Sequence, residues 1–274
     1  MLADPPPDRS DRARRSLKRA LASVPARAPA SGITLLIYHR VGGKTVDELD
    51  LDTTSFRRQL DLLDGHDVLS LGDAVDRLEA GDDRPGFVLT FDDGFADVHQ
   101  HAWPLLRARR LPFTIYLASA FVDRPMRWEG ATATGAGGMG LSWSQLAEMV
   151  DSGWCTVGNH THNHVPPHQL TEEEVDECSH IVERRLGVRP QHFTYPWGIA
   201  VPGMEDALRQ RFRSVSTGDL GRNLPGDDLY RLRRVPVRRT DPESFFAAKL
   251  RGRLAPEKAY AAIVAGAKRV GLRA

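Results

Sequence analysis

Short apolar runs alternate with helix-like segments along most of this chain. ITLLIY (Ile33–Tyr38), FVLTF (Phe87–Phe91) and FTIYL (Phe113–Leu117) are continuous apolar runs, as expected of strands that are buried on both faces. Between such runs apolar residues recur at helical spacing, for example in the segment that begins at Ser55. Strands that alternate with helices favour a parallel sheet, because each connection must cross back over the sheet. The sequence therefore predicts an α/β fold with parallel strands, either open or closed into a barrel with helices outside.

Two helices carry boundary signals. The helix that starts at Ser142 ends at Gly153, where a C-terminal cap is expected. Thr171 and Glu174 have the spacing of a capping box, and the helix that they open ends at Gly187. These boundaries divide this part of the chain into strand–helix units.

Length, charge and cysteine content narrow the class of protein. A chain of 274 residues suits one large domain, and single α/β barrels commonly reach this length. The formal net charge of +1 gives no general reason to expect a nucleic-acid partner. Cys155 and Cys178 are too few for a disulfide framework or a cysteine-rich zinc site, and they fit a reduced compartment.

The first thirty residues differ in composition from the rest. They are rich in Pro, Ala and Arg, so we expect residues 1–30 to be a disordered arm and residues 31–274 to be the catalytic domain. A short basic helix near Ser16 to Val24 fits within this arm, and an arm that lies on a membrane surface is the alternative. We find no signal-peptide core and no membrane span, so the protein as encoded is expected in the cytoplasm. Export would require a different start codon.

Polar clusters follow four of the predicted strands at their C-terminal ends. In a parallel barrel these ends share one rim, where catalytic loops gather. The clusters are Tyr38-His39-Arg40, Asp92-Asp93-Gly94, Asn159-His160 and Tyr195-Pro196-Trp197-Gly198. Taken singly, each has a plain structural interpretation: the aspartates suit a turn or a helix cap, and the aromatic residues suit packing. Their shared position favours one functional site.

Three histidines alternate in the segment GNHTHNH. Imidazole and carboxylate ligands without cysteine suit zinc, or a similar divalent ion, in a catalytic site with three protein ligands. The spacing does not choose the ligands. In an extended segment His160, His162 and His164 would lie on one face, whereas in a helical turn only His160 and His164 would pair.

Three motifs in this order resemble the polysaccharide deacetylases of carbohydrate esterase family 4: TFDDG at Thr90–Gly94, HTxxH at His160–His164 and FTYPWG at Phe193–Gly198. The resemblance covers roughly residues 33 to 237. It implies a distorted (β/α) barrel that removes N-acetyl groups from sugars with a bound divalent metal ion, usually Zn2+.

By position, the resemblance assigns Asp92 as the general base and Asp93, His160 and His164 as the metal ligands. The family hydroxyl falls at Thr161, where it would orient the loop, and His162 falls at a variable position.

The chain departs from the usual family pattern in two places. Most members have a late general-acid histidine, but His192 is the last histidine here. A branch with rearranged motifs, which includes poly-N-acetylglucosamine deacetylases, has that residue early, and LLIYHRV resembles its sequence, so His39 is the candidate acid. Thr194 stands where many members have an arginine that positions the base, and Arg234 is the candidate substitute.

The resemblance also implies substrate and oxyanion contacts at Tyr195 and Trp197, with the backbone N–H of Trp197 in the oxyanion site. The predicted activity is hydrolysis of N-acetyl groups on N-acetylhexosamine units of an acetylated glycan.

Several alternatives to this activity stay open. The same site would suit a deacylase or deformylase of a lipid-linked sugar or small amide. A non-catalytic carbohydrate-binding relative would keep the barrel alone, and a phosphoesterase would be expected to gather more carboxylates or a second metal.

Overall fold

The computed structural model describes residues 9–24, 31–43, 45–128 and 138–269. Strands lie at each of the three apolar runs named above. The bounds of the described strands are β1 (Ile33–Tyr38), β2 (Arg40–Val41), β3 (Asp50–Leu51), β4 (Gly86–Asp93), β5 (Phe113–Leu117), β6 (Cys155–Asn159), β7 (His192–Thr194), β8 (Ser214–Leu220) and β9 (Leu232–Pro236). Helices connect them, with the bounds α1 (Arg9–Ser23), α2 (Thr53–Leu63), α3 (Leu71–Glu79), α4 (Trp103–Arg109), α5 (Trp143–Asp151), α6 (Glu172–Leu186), α7 (Glu205–Arg211), α8 (Glu243–Leu250) and α9 (Ala255–Arg269).

Seven strands close a parallel barrel in the described part of the chain. Their spatial order is β1-β4-β5-β6-β7-β8-β9, and β1 pairs with both β4 and β9 to complete the closure. All seven pairings are parallel, so the C-terminal ends of the strands meet at one rim. This confirms the predicted distorted (β/α) barrel. The short strands β2 and β3 form a separate two-stranded sheet beside that rim.

The barrel strands are buried on both faces. All eight residues of β4 are buried, including its polar C-terminal pair. Outside the barrel, Phe56 of α2 packs edge to face on Tyr38, and Tyr38 stacks on Phe91, with ring centroids 5.4 and 5.3 Å apart. Each large apolar side chain buried in this way stabilises the fold by about 1.5–3 kcal/mol. The core thus fixes the strands whose ends carry the polar clusters.

The predicted helix boundaries are largely observed. Ser142 caps α5 with a complete capping box, and Gly187 ends α6 in the left-handed conformation. Thr171 caps α6 by accepting from the backbone N–H of Glu174. The predicted reciprocal contact is not made, because the Glu174 carboxylate binds Asn163 instead.

Inside the predicted N-terminal arm, the structure has a helix over Arg9–Ser23 rather than disordered chain. Its Lys18 is fully buried, and the Lys18 ammonium donates to Asp241 Oδ1 at 2.7 Å. This contact ties α1 to the segment that follows β9. Residues 1–8 and 25–30 of the arm lie outside the described residues, and the division at residue 30 stays a prediction. None of the described helices is long and apolar enough to cross a membrane.

Candidate metal centre and active site

The rim of the barrel surrounds a cavity of about 330 Å³. The strand-end clusters predicted to converge do meet there. The lining side chains that matter for chemistry are His39, Asp92, Asp93, His160, His164, Trp197 and Arg234. They come from five places in the chain, namely the ends of β1 and β4, the segments after β6 and β7, and β9, and closure of the barrel brings these places together.

Three buried side chains that line this cavity lie close enough together to hold a metal ion, and they are called here the ligand set. Asp93 Oδ1 lies 3.3 Å from His160 Nε2 and 3.2 Å from His164 Nε2. These ligand atoms all lie within 4.8 Å of one another. Ligand atoms on a tetrahedral zinc ion are separated by about 3.3 Å, which follows from metal–ligand distances of about 2.0–2.1 Å. The arrangement therefore fits a three-ligand catalytic site with a fourth position left for water or substrate.

The hydrogen bonding of His160 supports a cation at this position. Its Nδ1 lies 2.8 Å from the carbonyl oxygen of Thr194, which can only accept, so Nδ1 carries the proton. Nε2 then faces the Asp93 carboxylate at 3.3 Å, and a neutral ring would offer its Nε2 lone pair to a cation bound between the two side chains. Such a fixed tautomer is a common feature of metal-binding histidines.

The protonation of the ligand set agrees with metal binding. Burial by itself raises the pKa of Asp93, but the contacts with His160 and His164 outweigh burial and hold that pKa well below its usual range. Burial lowers the pKa of His164, which favours the neutral imidazole. Both directions leave the side chains in the forms that bind metals.

The backbone decides which histidines reach the site. Thr161 and His164 have φ angles of 67° and 52°, so the segment is neither extended nor helical. Asp93 also lies in the left-handed region, with φ 74°. This conformation is costly for residues other than glycine and is concentrated at functional sites. It brings His160 and His164 together and turns His162 elsewhere.

His162 takes part in the loop rather than in the ligand set. Its Nδ1 lies 2.8 Å from Ser119 Oγ, and its backbone N–H donates to the carbonyl oxygen of Glu174. Asn163 is bound through its backbone and its side chain to the Glu174 carboxylate, at 2.8 and 2.7 Å. The helix α6, which carries Glu174, thus holds the histidine loop in position.

Asn159, which the sequence places in a strand-end cluster without a predicted role, also orients this loop. Its Oδ1 accepts from the backbone N–H of Thr161 at 2.9 Å, and its Nδ2 donates to Ser179 Oγ at 2.9 Å. The Thr161 hydroxyl, expected to have this role, makes no hydrogen bond within the described residues. The signal in the sequence was an amide at a buried strand end directly before a ligand histidine.

Asp92 points into the same cavity with a different partner. Arg234 Nη1 lies 2.8 and 2.9 Å from its two carboxylate oxygens, and Arg234 Nε donates to the carbonyl oxygen of Thr217 at 2.9 Å. Both members of the ion pair are buried. The substitute arginine expected from the sequence is therefore in contact with Asp92, whereas Thr194 supplies its carbonyl oxygen to His160.

The two predicted aromatic contacts differ in placement. Trp197 lines the cavity, is 43% exposed and packs against His164 with ring centroids 4.5 Å apart. Its φ is 56°, in the left-handed region. Tyr195 is buried in an apolar cluster against Phe193, and its side chain does not line the cavity. Its position gives no support to a substrate contact through the side chain.

Comparison with known proteins agrees with this geometry. Residues 80–212 match the family described as polysaccharide deacetylase. The structure of IcaB from Ammonifex degensii shares 28% sequence identity at a TM-score of 0.70, covering 83% of this chain and all (100%) of that chain. No curated protein matches the sequence significantly.

Two further structures share the fold at lower identity. BC0361, a polysaccharide deacetylase from Bacillus cereus, is 23% identical at a TM-score of 0.65, covering 80% of this chain and 69% of that chain. A de-N-acetylase from Aggregatibacter actinomycetemcomitans is 19% identical at a TM-score of 0.66, covering 80% and 99%. The matched segment carries both aspartates, His160 and His164, so this part of the chain matches the polysaccharide deacetylase family, and the barrel matches the fold of its solved members.

Proposed function

We propose that this protein is a zinc-dependent hydrolase that removes N-acetyl groups from N-acetylhexosamine units of a polysaccharide or oligosaccharide. The observation that carries the proposal is the adjacency of two aspartates with different partners in one cavity. Asp93 belongs to a ligand set with two histidines, while Asp92 is paired with a buried arginine. Adjacent carboxylates in such different surroundings suit different roles.

Asp93, His160 and His164 are the residues that would hold the metal ion. When bound, a divalent cation supplies Lewis-acid polarisation of the acetamide carbonyl and of an attacking water molecule. The buried contacts from Thr194 and Asn159 keep this ligand set in one orientation.

Asp92 acts in this proposal as the general base. Its carboxylate accepts a proton from the water whose oxygen forms the new bond to the acetamide carbon. Arg234 Nη1 contacts both carboxylate oxygens, which holds the base in one orientation towards the cavity. The backbone N–H of Trp197, at the rim, would stabilise the negative charge that develops on the carbonyl oxygen.

His39 acts as the general acid and donates a proton to the sugar nitrogen as the C–N bond breaks, which releases acetate and a free amine. The ring lines the cavity and follows β1, next to the strand that carries Asp92. Its buried Nδ1 has no hydrogen-bond partner within the described residues.

The direct test is acetate release from chitin oligomers, poly-N-acetylglucosamine and peptidoglycan fragments by the protein loaded with zinc. We expect release from at least one of these glycans, loss of activity after chelation and recovery when zinc is restored. Stoichiometric zinc binding without release from any acetylated glycan would instead favour a non-catalytic carbohydrate-binding protein.

A further inference from the structure

One side of the catalytic cavity is formed by residues 46–49, called here the wall segment. The side chains of Asp47 and Leu49 line the cavity. Between them, Glu48 is directed away from the cavity: its Oε1 accepts from Arg14 Nη1 at 3.0 Å and its Oε2 accepts from Thr240 Oγ1 at 2.6 Å. The wall segment therefore has one face on the cavity and one face on α1.

The backbone of the wall segment is held from the same side. Arg239 donates its backbone N–H to the carbonyl oxygen of Glu48 at 2.8 Å. Its guanidinium donates to the carbonyl oxygens of Val46 at 2.9 Å and Asp47 at 3.1 Å. The same guanidinium pairs with both carboxylate oxygens of Asp11 on α1, at 2.5 and 2.7 Å. Arg239 thus bridges α1 and three consecutive peptide groups of the wall.

The helix that makes these contacts is itself fixed to the domain. Lys18, one turn beyond Arg14, donates to Thr240 and Asp241, and all of its side chain is buried. Asp241 also accepts from Lys249 of α8 at 2.6 Å. Because a buried charge that loses its partner is strongly unfavourable, this network resists any displacement of α1.

We propose that α1 braces the cavity wall, and that Glu48 is a positioning residue through which the brace shapes the binding of the glycan. The inference rests on the proposed function for the identity of the substrate. The proposal gives α1, which lies within the first thirty residues, a role in substrate binding.

The brace acts on binding rather than on the chemical step. Asp92, Asp93 and Arg234 lie on the barrel strands β4 and β9, whereas the Glu48 side chain hydrogen-bonds to Arg14 and Thr240. The segment next to His39 has its own buried anchor, since Arg40 Nε pairs with Asp97 at 2.7 Å. A looser wall would therefore weaken substrate binding while the reacting groups stay in place.

The test compares Glu48→Ala with Glu243→Ala in the full-length, zinc-loaded protein. Glu243 is the control because it also pairs with an arginine at 3.0 Å, but this partner, Arg58, lies on α2 rather than on α1. We expect Glu48→Ala to raise KM about three- to tenfold, as for the loss of a charged hydrogen bond, with kcat within about twofold of the wild type. Arg14→Ala should change KM in the same direction, and the double variant should add less than the two single effects.

Hydrogen exchange gives a readout that does not depend on activity. Amides of residues 45–51 should exchange faster in Glu48→Ala than in Glu243→Ala, with the barrel strands unchanged. The proposal that α1 braces the wall would be wrong if Glu48→Ala had both the KM and the exchange rates of the wild type. It would also be wrong if Glu48→Ala lowered kcat and the melting temperature and left KM unchanged. If the wild-type protein releases no acetate, the proposed function is wrong. The exchange comparison alone then tests whether α1 holds the wall segment in place.

Discussion

Arg234 Nη1 lies 2.8 and 2.9 Å from the two carboxylate oxygens of Asp92, although 142 positions separate these residues along the chain. The two strands that carry them, β9 and β4, both pair with β1, so barrel closure brings the ion pair together. Both side chains are buried, where a hydrogen bond between charged groups is stronger and less screened than at the surface. The general base of the proposed mechanism is therefore positioned by the last strand of the barrel.

Arg234→Gln should lower kcat by about ten- to a hundredfold, because the buried Asp92 carboxylate loses the charged partner that orients it. Zinc content should stay at the wild-type level, since Arg234 is not a ligand. Arg233→Gln is the matched control, because Arg233 pairs with Asp227 outside the cavity. Equal activity in the two variants would exclude Arg234 from the positioning of the base.

His39→Gln should retain zinc and lose activity on N-acetylglucosamine oligomers by about a hundredfold or more, the usual contribution of a general acid. The loss should be smaller for a substrate whose leaving amine is a weak base, because protonation then matters less. Steady-state rates on the two kinds of amide measure this difference. Near-normal activity of His39→Gln on the sugar substrate would remove His39 from the mechanism.

The histidine loop makes a direct prediction about metal content. His160→Ala should lose the bound zinc, because it removes one of three protein ligands. His162→Ala should keep it, because His162 contacts Ser119 and lies outside the ligand set. Zinc per protein after dialysis distinguishes the variants, and loss of zinc from both to the same extent would mean that the ligand assignment is wrong.

His192 should make the fold sensitive to acid. Burial, together with nearby Arg213, lowers the pKa of His192 from 6.5 to about 4. The unfolded chain then binds more protons than the fold between these two values, so stability is fully present above pH 6.5 and declines as the pH falls towards 4. The decline should be about 3 kcal/mol.

Urea unfolding of wild type and His192→Asn at pH 7 and pH 4.5 measures this effect. The variant should lose less stability on acidification, because it lacks the buried imidazole whose protonation favours the unfolded chain. His168→Asn, at an exposed position, is the control and should follow the wild type. Parallel pH profiles for wild type and His192→Asn would contradict the assignment.

The barrel and its polar rim could be predicted because they follow from local sequence. Continuous apolar runs marked the strands, and the polar residues at their ends marked the rim, including His39 and both aspartates. The choice between His160, His162 and His164 came from family resemblance, because it depends on left-handed backbone at Thr161 and His164 that spacing does not reveal.

Contacts between distant segments were harder to predict. Glu174 has the spacing of a capping box, but its carboxylate binds Asn163 of the histidine loop, which only the packed structure brings near. Tyr195 stands in a functional motif, yet its side chain packs in a core cluster. The composition of the first thirty residues suggested disorder, whereas burial of Lys18 depends on a partner, Asp241, more than 200 positions away. Sequence patterns record local preference, and these cases depend on long-range partners.

The central claim is that the two adjacent aspartates have different roles, with Asp92 as the general base and Asp93 as a metal ligand. Zinc content and single-turnover acetate release, measured together on Asp92→Asn and Asp93→Asn, test it most directly. We predict that Asp92→Asn binds zinc at the wild-type level and loses turnover by at least about a hundredfold, whereas Asp93→Asn loses zinc first. Normal acetate release by zinc-loaded Asp92→Asn would contradict the account.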